Sequence, residues 1–226
     1  PDVFGGFSAL GWGSTPAARR ALRVFVSPGP IHEPEGGAVD REQAAERLGD
    51  LFQDGVEVLR AGGGGGDGSS TGTGVSGAAG AVGMTVGQVA KHLGCRVVGI
   101  AGGKDKCDYV VKELGFDACI DYKEHKDYIS LSKALREACP NGIDGHFENV
   151  GGMVLDAVML RTNAFARIAV CGMIAGYDGA PLPMSNPALI LVNRMKIEGF
   201  IVSEHMEVWP EALQELGTLV GTGKLR

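Results

Sequence analysis

Downstream of Val75 the chain alternates short apolar runs with amphipathic segments in a regular order. The runs CRVVGIA at 95–101 and RIAVCG at 167–172 are continuous and apolar, which is typical of strands buried on both faces. Between such runs, apolar residues recur at helical spacing. Strands that alternate with helices in this way predict a parallel sheet covered by helices on both faces. The pattern predicts strands at 95–101, 118–122, 143–149, 167–172 and 196–202, and helices at 85–93, 106–114, 128–139, 153–160, 187–194 and 209–220.

The segment VSGAAGAVG at 75–83 stands directly before the first of these helices. Its glycines recur every third residue, at Gly77, Gly80 and Gly83. Gly80 would let the backbone approach a pyrophosphate, and Gly83 would let the helix pack closely on the preceding strand. The N–H groups and the partial positive charge at the start of a helix favour such an anion. The expected pyrophosphate-binding residues are Gly77, Ala79, Gly80, Ala81, Val82 and Gly83; the alternative is a glycine turn in an ordinary α/β domain.

Residues 1–74 do not follow the alternating pattern. Residues 40–60 predict one amphipathic helix, whereas 62–66 is an unbroken run of glycine, which loses much backbone entropy on ordering. We therefore expect a flexible linker there. The segment 71–75 is poor strand material, although a strand should precede the glycine motif. The chain thus divides into an irregular, glycine-rich, poorly ordered segment at 1–74 and a dinucleotide-binding domain at 75–226.

The end of the second strand of such a domain selects the cofactor. Sites for NAD usually carry Asp or Glu there, to bind the ribose 2′-hydroxyl. Here the strand ends in Gly102 and Gly103, followed by Lys104, Asp105 and Lys106. Lysines suit the 2′-phosphate of NADP, so we expect NADP. Asp105 could still bind a ribose hydroxyl, and both lysines could simply belong to a solvated helix start.

Composition excludes several other classes of function. The 226 residues carry a net charge of −6, which argues against a nucleic-acid partner. No apolar run approaches the roughly 18 residues that span a bilayer, so we expect no membrane association. The five cysteines are scattered without CxxC spacing, which predicts reduced thiols in the cytoplasm and no metal site.

Residues 75–226 contain five motifs that, in their order along the chain, resemble those of a known protein family. They are SGAAGAVG with GQVAK, LGFDACIDYK, FENVGG, RIAVCGMIAGY and NRMKIEGFIV. Residues 75–226 resemble the cofactor-binding part of the zinc-independent medium-chain dehydrogenase/reductases. It is most similar to the group of prostaglandin reductases (leukotriene B4 12-hydroxydehydrogenases) and alkenal double-bond reductases. The resemblance implies an α/β fold with a Rossmann-type doubly wound parallel sheet.

The resemblance also implies an activity and a site. Members of the group use NADPH, without metal, to reduce the C=C bond of α,β-unsaturated ketones and aldehydes. The lysine at the 2′-phosphate would be Lys106, and Glu148 stands where the family commonly has Asp. The cofactor-binding residues implied beyond the glycine turn are Gly102, Lys106, Tyr122, Asn149, Cys171, Gly172, Ile174, Tyr177, Phe200, Ile201 and Val202, with 200–202 expected in a strand.

Tyr177 is the expected catalytic residue. Hydride addition at the β-carbon leaves an enolate, whose oxygen needs a hydrogen-bond donor. The Tyr177 hydroxyl could donate together with a ribose hydroxyl, and the alternative is an aromatic residue of a surface turn or lid. His125, His146 and His205 stand without a partner at fixed spacing, so each is expected on the surface or in the core.

One feature of the family is missing from the sequence. Its members carry a GroES-like β-barrel before the glycine motif, and residues 1–74 do not resemble it. The alternative to an enone reductase is therefore a truncated, non-catalytic NADP-binding domain. A zinc alcohol dehydrogenase is disfavoured because the chain has no cysteine–histidine cluster. The resemblance also implies a homodimer through the strand near 197–202.

Overall fold

The computed structural model describes residues 72–179, 181–204 and 206–226. The helix predicted at 40–60, the linker at 62–66 and His205 lie outside these residues. Most of the irregular segment predicted at 1–74 lies outside them as well.

The described residues form a six-stranded, fully parallel sheet in the order β3-β2-β1-β4-β5-β6. The chain starts at the centre, moves outward to β3, returns to β4 beside β1 and then moves outward to β6. This order is that of a Rossmann-type doubly wound fold, so the predicted fold class is confirmed. The strands are β1 Gly72–Ser76, β2 Arg96–Ala101, β3 Ala118–Asp121, β4 Ile143–Glu148, β5 Thr162–Val170 and β6 Lys196–Gly199.

Helices cover both faces of the sheet. Val97 and Val98 are neighbours in β2 and therefore point to opposite faces. Val97 belongs to a core cluster with residues of α1 and α2, and Val98 to a cluster with residues of α3 and α4. The helices are α1 Ala81–His92, α2 Lys104–Lys112, α3 Tyr128–Ala138, α4 Gly152–Met159, α5 Ala188–Asn193 and α6 Trp209–Gly221.

The central strand β1 corrects the expectation that 71–75 is poor strand material. All residues of β1 are buried, and the strand pairs with β2 on one side and β4 on the other. Its glycines lie where neighbours leave no room for a side chain. A Cβ atom at Gly74 would lie 2.7 Å from His146 Nδ1, and one at Gly72 would overlap the Gly142 carbonyl oxygen. The predicted boundary after Gly74 therefore falls inside a strand.

Three other elements differ from the predicted bounds by three residues or more at one end. Helix α1 begins at Ala81, four residues before 85, because the glycine turn leads directly into it. Strand β5 begins at Thr162 rather than 167, and the register with β4 shifts between Ile143 and Gly145. Strand β6 ends at Gly199 rather than 202, and a 3-10 turn begins at Val202. Within the described parts of the chain, no helix has the length and apolar character to cross a bilayer.

Candidate functional site

The carboxyl ends of all six described strands lie at one edge of the parallel sheet. The strand order reverses between β1 and β4. In open parallel sheets, ligands bind outside the strand ends at this switch point. The predicted site residues follow these strands, so the topology brings them to a single edge.

The turn after β1 has the geometry of a phosphate-binding loop. Gly77 adopts φ +60°, a conformation that favours glycine, and its carbonyl oxygen accepts a 2.8 Å hydrogen bond from Gly80 N. A Cβ atom at Gly83 would overlap the Gly77 carbonyl oxygen and lie 3.0 Å from Ala78 Cα. Gly83 therefore allows α1 to pack against the turn, as its spacing predicts.

The start of α1 is free to meet an anion. Gly80 is the N-cap, no side chain caps the helix, and the first turn contains no acidic residue. The N–H groups of the first turn therefore lack side-chain partners, and the partial positive charge of the helix end is uncompensated.

The turn after β2 is anchored by a carboxylate from β3. Asp121 Oδ1 accepts hydrogen bonds from Gly103 N at 2.8 Å and from Lys123 N at 3.0 Å. The Gly103 N–H bond holds the pKa of Asp121 below its usual range. Asp121 thus ties the glycine turn at the start of α2 to the 3-10 turn Tyr122–Glu124 that follows β3.

Aromatic and cationic side chains surround this second glycine turn. A Cβ atom at Gly102 would lie 2.9 Å from Tyr122 Cε1 and 3.0 Å from Lys123 Cε. Tyr122 therefore lies at the turn that contains Gly102. Lys123 is a further cation that the sequence did not single out, although it directly follows Tyr122.

The lysines of α2 divide into paired and unpaired side chains. Lys104 and Lys112 both contact Asp108 Oδ2, at 2.8 and 3.0 Å. Lys106 is exposed, and its amine makes no hydrogen bond or ion pair with any described residue. It is therefore available to an anionic ligand.

Main-chain hydrogen bonds join the loops that follow β4 and β5. The Glu148 carbonyl oxygen accepts from Cys171 N at 2.9 Å and from Gly172 N at 3.1 Å. The Asn149 carbonyl oxygen accepts from Ile174 N at 3.1 Å. The structure thus brings Asn149, Cys171, Gly172 and Ile174 together. Burial raises the pKa of the Cys171 thiol.

Tyr177 follows the 3-10 turn Ile174–Gly176 and lies partly over the same loops. A Cβ atom at Gly172 would lie 3.2 Å from the Tyr177 hydroxyl oxygen and 3.4 Å from the Asn149 carbonyl oxygen. The hydroxyl therefore lies beside the ends of β4 and β5. The ring is 54% exposed, so a ligand can reach it.

The segment after Tyr177 folds back onto the start of α4. Asp156 is buried and accepts hydrogen bonds from Ser185 N at 3.0 Å and from Ser185 Oγ at 2.5 Å. A Cβ atom at Gly151 would lie 3.0 Å from Leu182 Cδ1. This packing holds residues 181–186 over the glycine turn between β4 and α4.

Phe200 lies at the same edge, but the predicted strand around it is wrong. Phe200 N donates to the Val170 carbonyl oxygen at 3.2 Å, and its ring meets Phe147 edge-on at 5.9 Å between centroids. Ile201 and Val202 lie beyond the end of β6. The Val202 carbonyl oxygen accepts from Trp209 Nε1 at 3.1 Å, which turns this segment toward α6.

A buried polar network beneath the β4 loop was missed by sequence reasoning. Ser76, His146 and Glu148 are all buried, and the Glu148 carboxylate contacts both of the others. The sequence signal was the alternation of His146 and Glu148 on one face of a buried strand. His146 is a core residue, which is one of the two places expected for it.

The five cysteines of the chain all lie in the described residues. All five cysteines are free thiols, and the Sγ atoms of Cys107 and Cys119 lie 3.1 Å apart. No group of three or more His, Cys, Asp or Glu residues in the described ranges could hold a metal ion.

Known proteins resemble the described part of the chain. The family model for zinc-binding dehydrogenases matches residues 81–218. The chain is 44% identical over 152 residues to 2-alkenal reductase (NADP(+)-dependent) of Nicotiana tabacum, which covers 67% of this chain and 43% of the relative. It is 46% identical over 155 residues to prostaglandin reductase 1 of Rattus norvegicus, covering 67% of this chain and 46% of the relative.

A solved structure shows the same likeness. A crystal structure of CurA in complex with NADPH from Vibrio vulnificus matches with a TM-score of 0.64 and 36% identity. The match covers 88% of this chain and 60% of that one. The chain spans less than half the length of the two curated relatives, at 43% and 46%.

Proposed function

Because this chain belongs to the family of zinc-binding dehydrogenases, in the group of medium-chain dehydrogenases and reductases, we propose that it binds NADPH and reduces the C=C bond of α,β-unsaturated ketones and aldehydes. The similarity to an NADP-dependent 2-alkenal reductase and to a prostaglandin reductase supports this substrate class.

The residues at the sheet edge fit the parts of this cofactor. The uncapped start of α1 and the glycine turn suit the pyrophosphate. The unpaired Lys106 suits the 2′-phosphate, because a lysine binds phosphate as a point charge. The proposed contacts are Gly77, Ala79, Gly80, Ala81, Val82 and Gly83 at the pyrophosphate; Gly102, Lys106 and Tyr122 at the 2′-phosphate; and Asn149, Cys171, Gly172, Ile174, Tyr177, Phe200, Ile201 and Val202 toward the nicotinamide.

The chain's own role in the reaction is orientation and charge stabilisation. When bound, NADPH supplies a hydride to the β-carbon of the substrate. The Tyr177 hydroxyl, beside the ends of β4 and β5, donates a hydrogen bond to the enolate oxygen that develops. We propose that this chemistry proceeds without zinc, since the enolate charge is met by hydrogen-bond donors.

The observation that carries the proposal is the grouping of these features at the switch point. Ligand binding raises the free energy of unfolding by RT ln(1 + [L]/Kd), which is about 2.7 kcal/mol at 100 times Kd. We expect NADPH to raise the melting temperature of the full chain in a thermal-shift assay, and NADH to raise it less at equal concentration. No shift with NADPH would contradict the proposal.

A second assay separates catalysis from binding alone. An α,β-unsaturated ketone is added to the chain with NADPH, and loss of NADPH absorbance is followed. Enone-dependent oxidation supports the reductase. A thermal shift without any such oxidation supports the alternative, a non-catalytic NADP-binding domain. The Tyr177→Phe variant removes the proposed donor and should lower the rate far more than it lowers the thermal shift.

We also propose a cytoplasmic homodimer. Five free thiols fit a reducing compartment.

Strand β6 is the outer strand of the described sheet on its side, and an edge strand presents N–H and C=O groups to a second strand. Sedimentation should give a dimer for the chain and a monomer for Ile197→Pro, which removes one N–H from β6. A monomeric wild-type chain would contradict the dimer.

A further inference from the structure

The buried carboxylate of Glu148 holds the turn between β4 and α4 through hydrogen bonds. Its Oε1 atom accepts hydrogen bonds from Ser76 Oγ at 2.5 Å, Val150 N at 2.6 Å and Gly151 N at 2.9 Å. Its Oε2 atom lies 3.0 Å from His146 Nε2. An ionised carboxylate only accepts, so His146 donates from Nε2 and the carboxylate receives four donors.

Ser76 links the Glu148 carboxylate to Asn149 through hydrogen bonds. The Ser76 hydroxyl oxygen accepts from Asn149 N at 2.7 Å while it donates to Glu148. The Ser76 carbonyl oxygen accepts from Asn149 Nδ2, also at 2.7 Å. Both the backbone and the amide of Asn149 are therefore fixed against β1, and the position of the Ser76 hydroxyl depends on Glu148.

The geometry of the turn makes this anchoring necessary. Gly151 and Gly152 both have positive φ, at +78° and +55°, so the backbone here has few local restraints. The Glu148 carboxylate holds the N–H groups of the two residues that lead into α4. The side chain is fully buried, so water cannot replace it.

The other end of the site has an independent anchor. Asp121 holds the turn that carries Gly102 and Gly103, and it shares no hydrogen-bond partner with Glu148. Strands β2 and β1 lie between the two anchors in the sheet order. The two ends of the site can therefore be disturbed separately.

We propose that Glu148 is a positioning residue for the nicotinamide half of the site, acting through Ser76 on Asn149 and directly on the Val150–Gly151 turn. The inference rests on the proposed NADPH site. It assigns to Glu148 no contact with substrate or cofactor. It divides the site into a nicotinamide half that depends on Glu148 and a 2′-phosphate half that depends on Asp121.

Titration calorimetry of the full chain with two ligands tests this division. NADPH occupies both halves, whereas adenosine 2′,5′-bisphosphate lacks the nicotinamide. In Glu148→Gln, which keeps the shape of the side chain, we expect NADPH affinity to fall roughly tenfold, because a neutral amide cannot accept from all four donors and the turn is held less firmly. Affinity for the bisphosphate should stay within about twofold of wild type, a change below the usual worth of one hydrogen bond.

Matched variants separate positioning from loss of structure. Asp121→Asn should weaken both ligands to a similar extent, because each contains the 2′-phosphate. Leu135→Val, in the core cluster on α3, lowers stability without touching either anchor and should leave both affinities unchanged.

The outcomes are distinct. An equal loss of both ligands in Glu148→Gln, or no loss of either, overturns the role of Glu148. If wild type binds neither ligand, it is the proposed NADPH site that fails. If Glu148→Gln does not fold, Ser76→Ala removes the relay alone and should give the same selective loss of NADPH affinity; an unchanged affinity ratio there also overturns the role.

Discussion

At the scale of single residues, the proposed cofactor preference depends on which cations are already paired. Asp108 engages Lys104 and Lys112 from the same helix and leaves Lys106 unpaired among the described residues. The sequence has two lysines shortly after Gly103, the family resemblance selects Lys106, and the structure shows Lys104 paired with Asp108. Side-chain pairing at i and i+4 on α2 makes the difference.

Replacing Lys106 with Ala should weaken NADPH far more than NADH. A hydrogen bond to a charged group contributes about 1.5–3 kcal/mol, so the loss of NADPH affinity should be roughly tenfold or more. Dissociation constants for both cofactors, from fluorescence titration, give the comparison. Lys112→Ala, on the same helix but paired with Asp108, is the control and should change neither. Equal losses for both cofactors would exclude the phosphate role of Lys106.

The buried network shows why other residues could not be predicted. Ser76, His146 and Glu148 lie at the ends of adjacent parallel strands, and Ser76 is separated from Glu148 by 72 positions in sequence. Periodicity describes which face a residue occupies, but not which polar groups meet across strands. The motif FENVGG located the loop, while the contacts of the carboxylate within it required the fold.

At the scale of elements, most of the sheet could be predicted because its strands alternate regularly with helical segments along the chain. β2 and β4 match their predicted positions to within a residue at each end. β1 could not be predicted, because its burial comes from close backbone packing rather than apolar side chains. Its glycines leave room for the Gly142 carbonyl oxygen and the His146 ring, and both of these groups are distant in sequence.

The packing of α1 on the glycine turn makes a prediction at this scale. Gly83→Ala should destabilise the chain by about 1–3 kcal/mol, because the new Cβ atom overlaps backbone that cannot rotate away. Gly217→Ala in α6 is the matched control, since nothing lies within 4 Å of its Cβ position. That control should stabilise the chain by about 0.5–1 kcal/mol through helix propensity. Urea denaturation measures both, and a neutral Gly83→Ala would show that the turn adjusts.

At the scale of the whole molecule, the buried carboxylate of Glu148 makes the stability of the fold depend on pH. Burial opposes the charged form of Glu148, but the hydrogen bonds from His146, Ser76 and Gly151 outweigh it and lower the pKa to about 2 from 4.5. Since the folded pKa is the lower one, this group stabilises the fold fully above pH 4.5 and loses its effect as the pH falls toward 2.

The free energy of unfolding should therefore fall in this range of pH by roughly 3 kcal/mol on account of Glu148, at 1.36 kcal/mol per unit of pKa. Urea denaturation of wild type and Glu148→Gln at a series of pH values measures the effect. The difference between the two proteins should be constant above pH 4.5 and shrink as the pH approaches 2. A difference that is independent of pH would mean that Glu148 does not titrate with folding.

The position of β1 also has a consequence for the order of folding. β1 leaves the ribosome before every other described strand, yet its partner β4 begins at Ile143. Two glycines among its five residues give it little apolar side-chain surface with which to hold a place in an early collapsed state. Closing so long a loop costs chain entropy before the pairing can repay any of it. The nascent chain therefore completes the centre of its sheet only after β4 has been synthesised. Until then Ser76 cannot form its hydrogen bond with the Glu148 carboxylate.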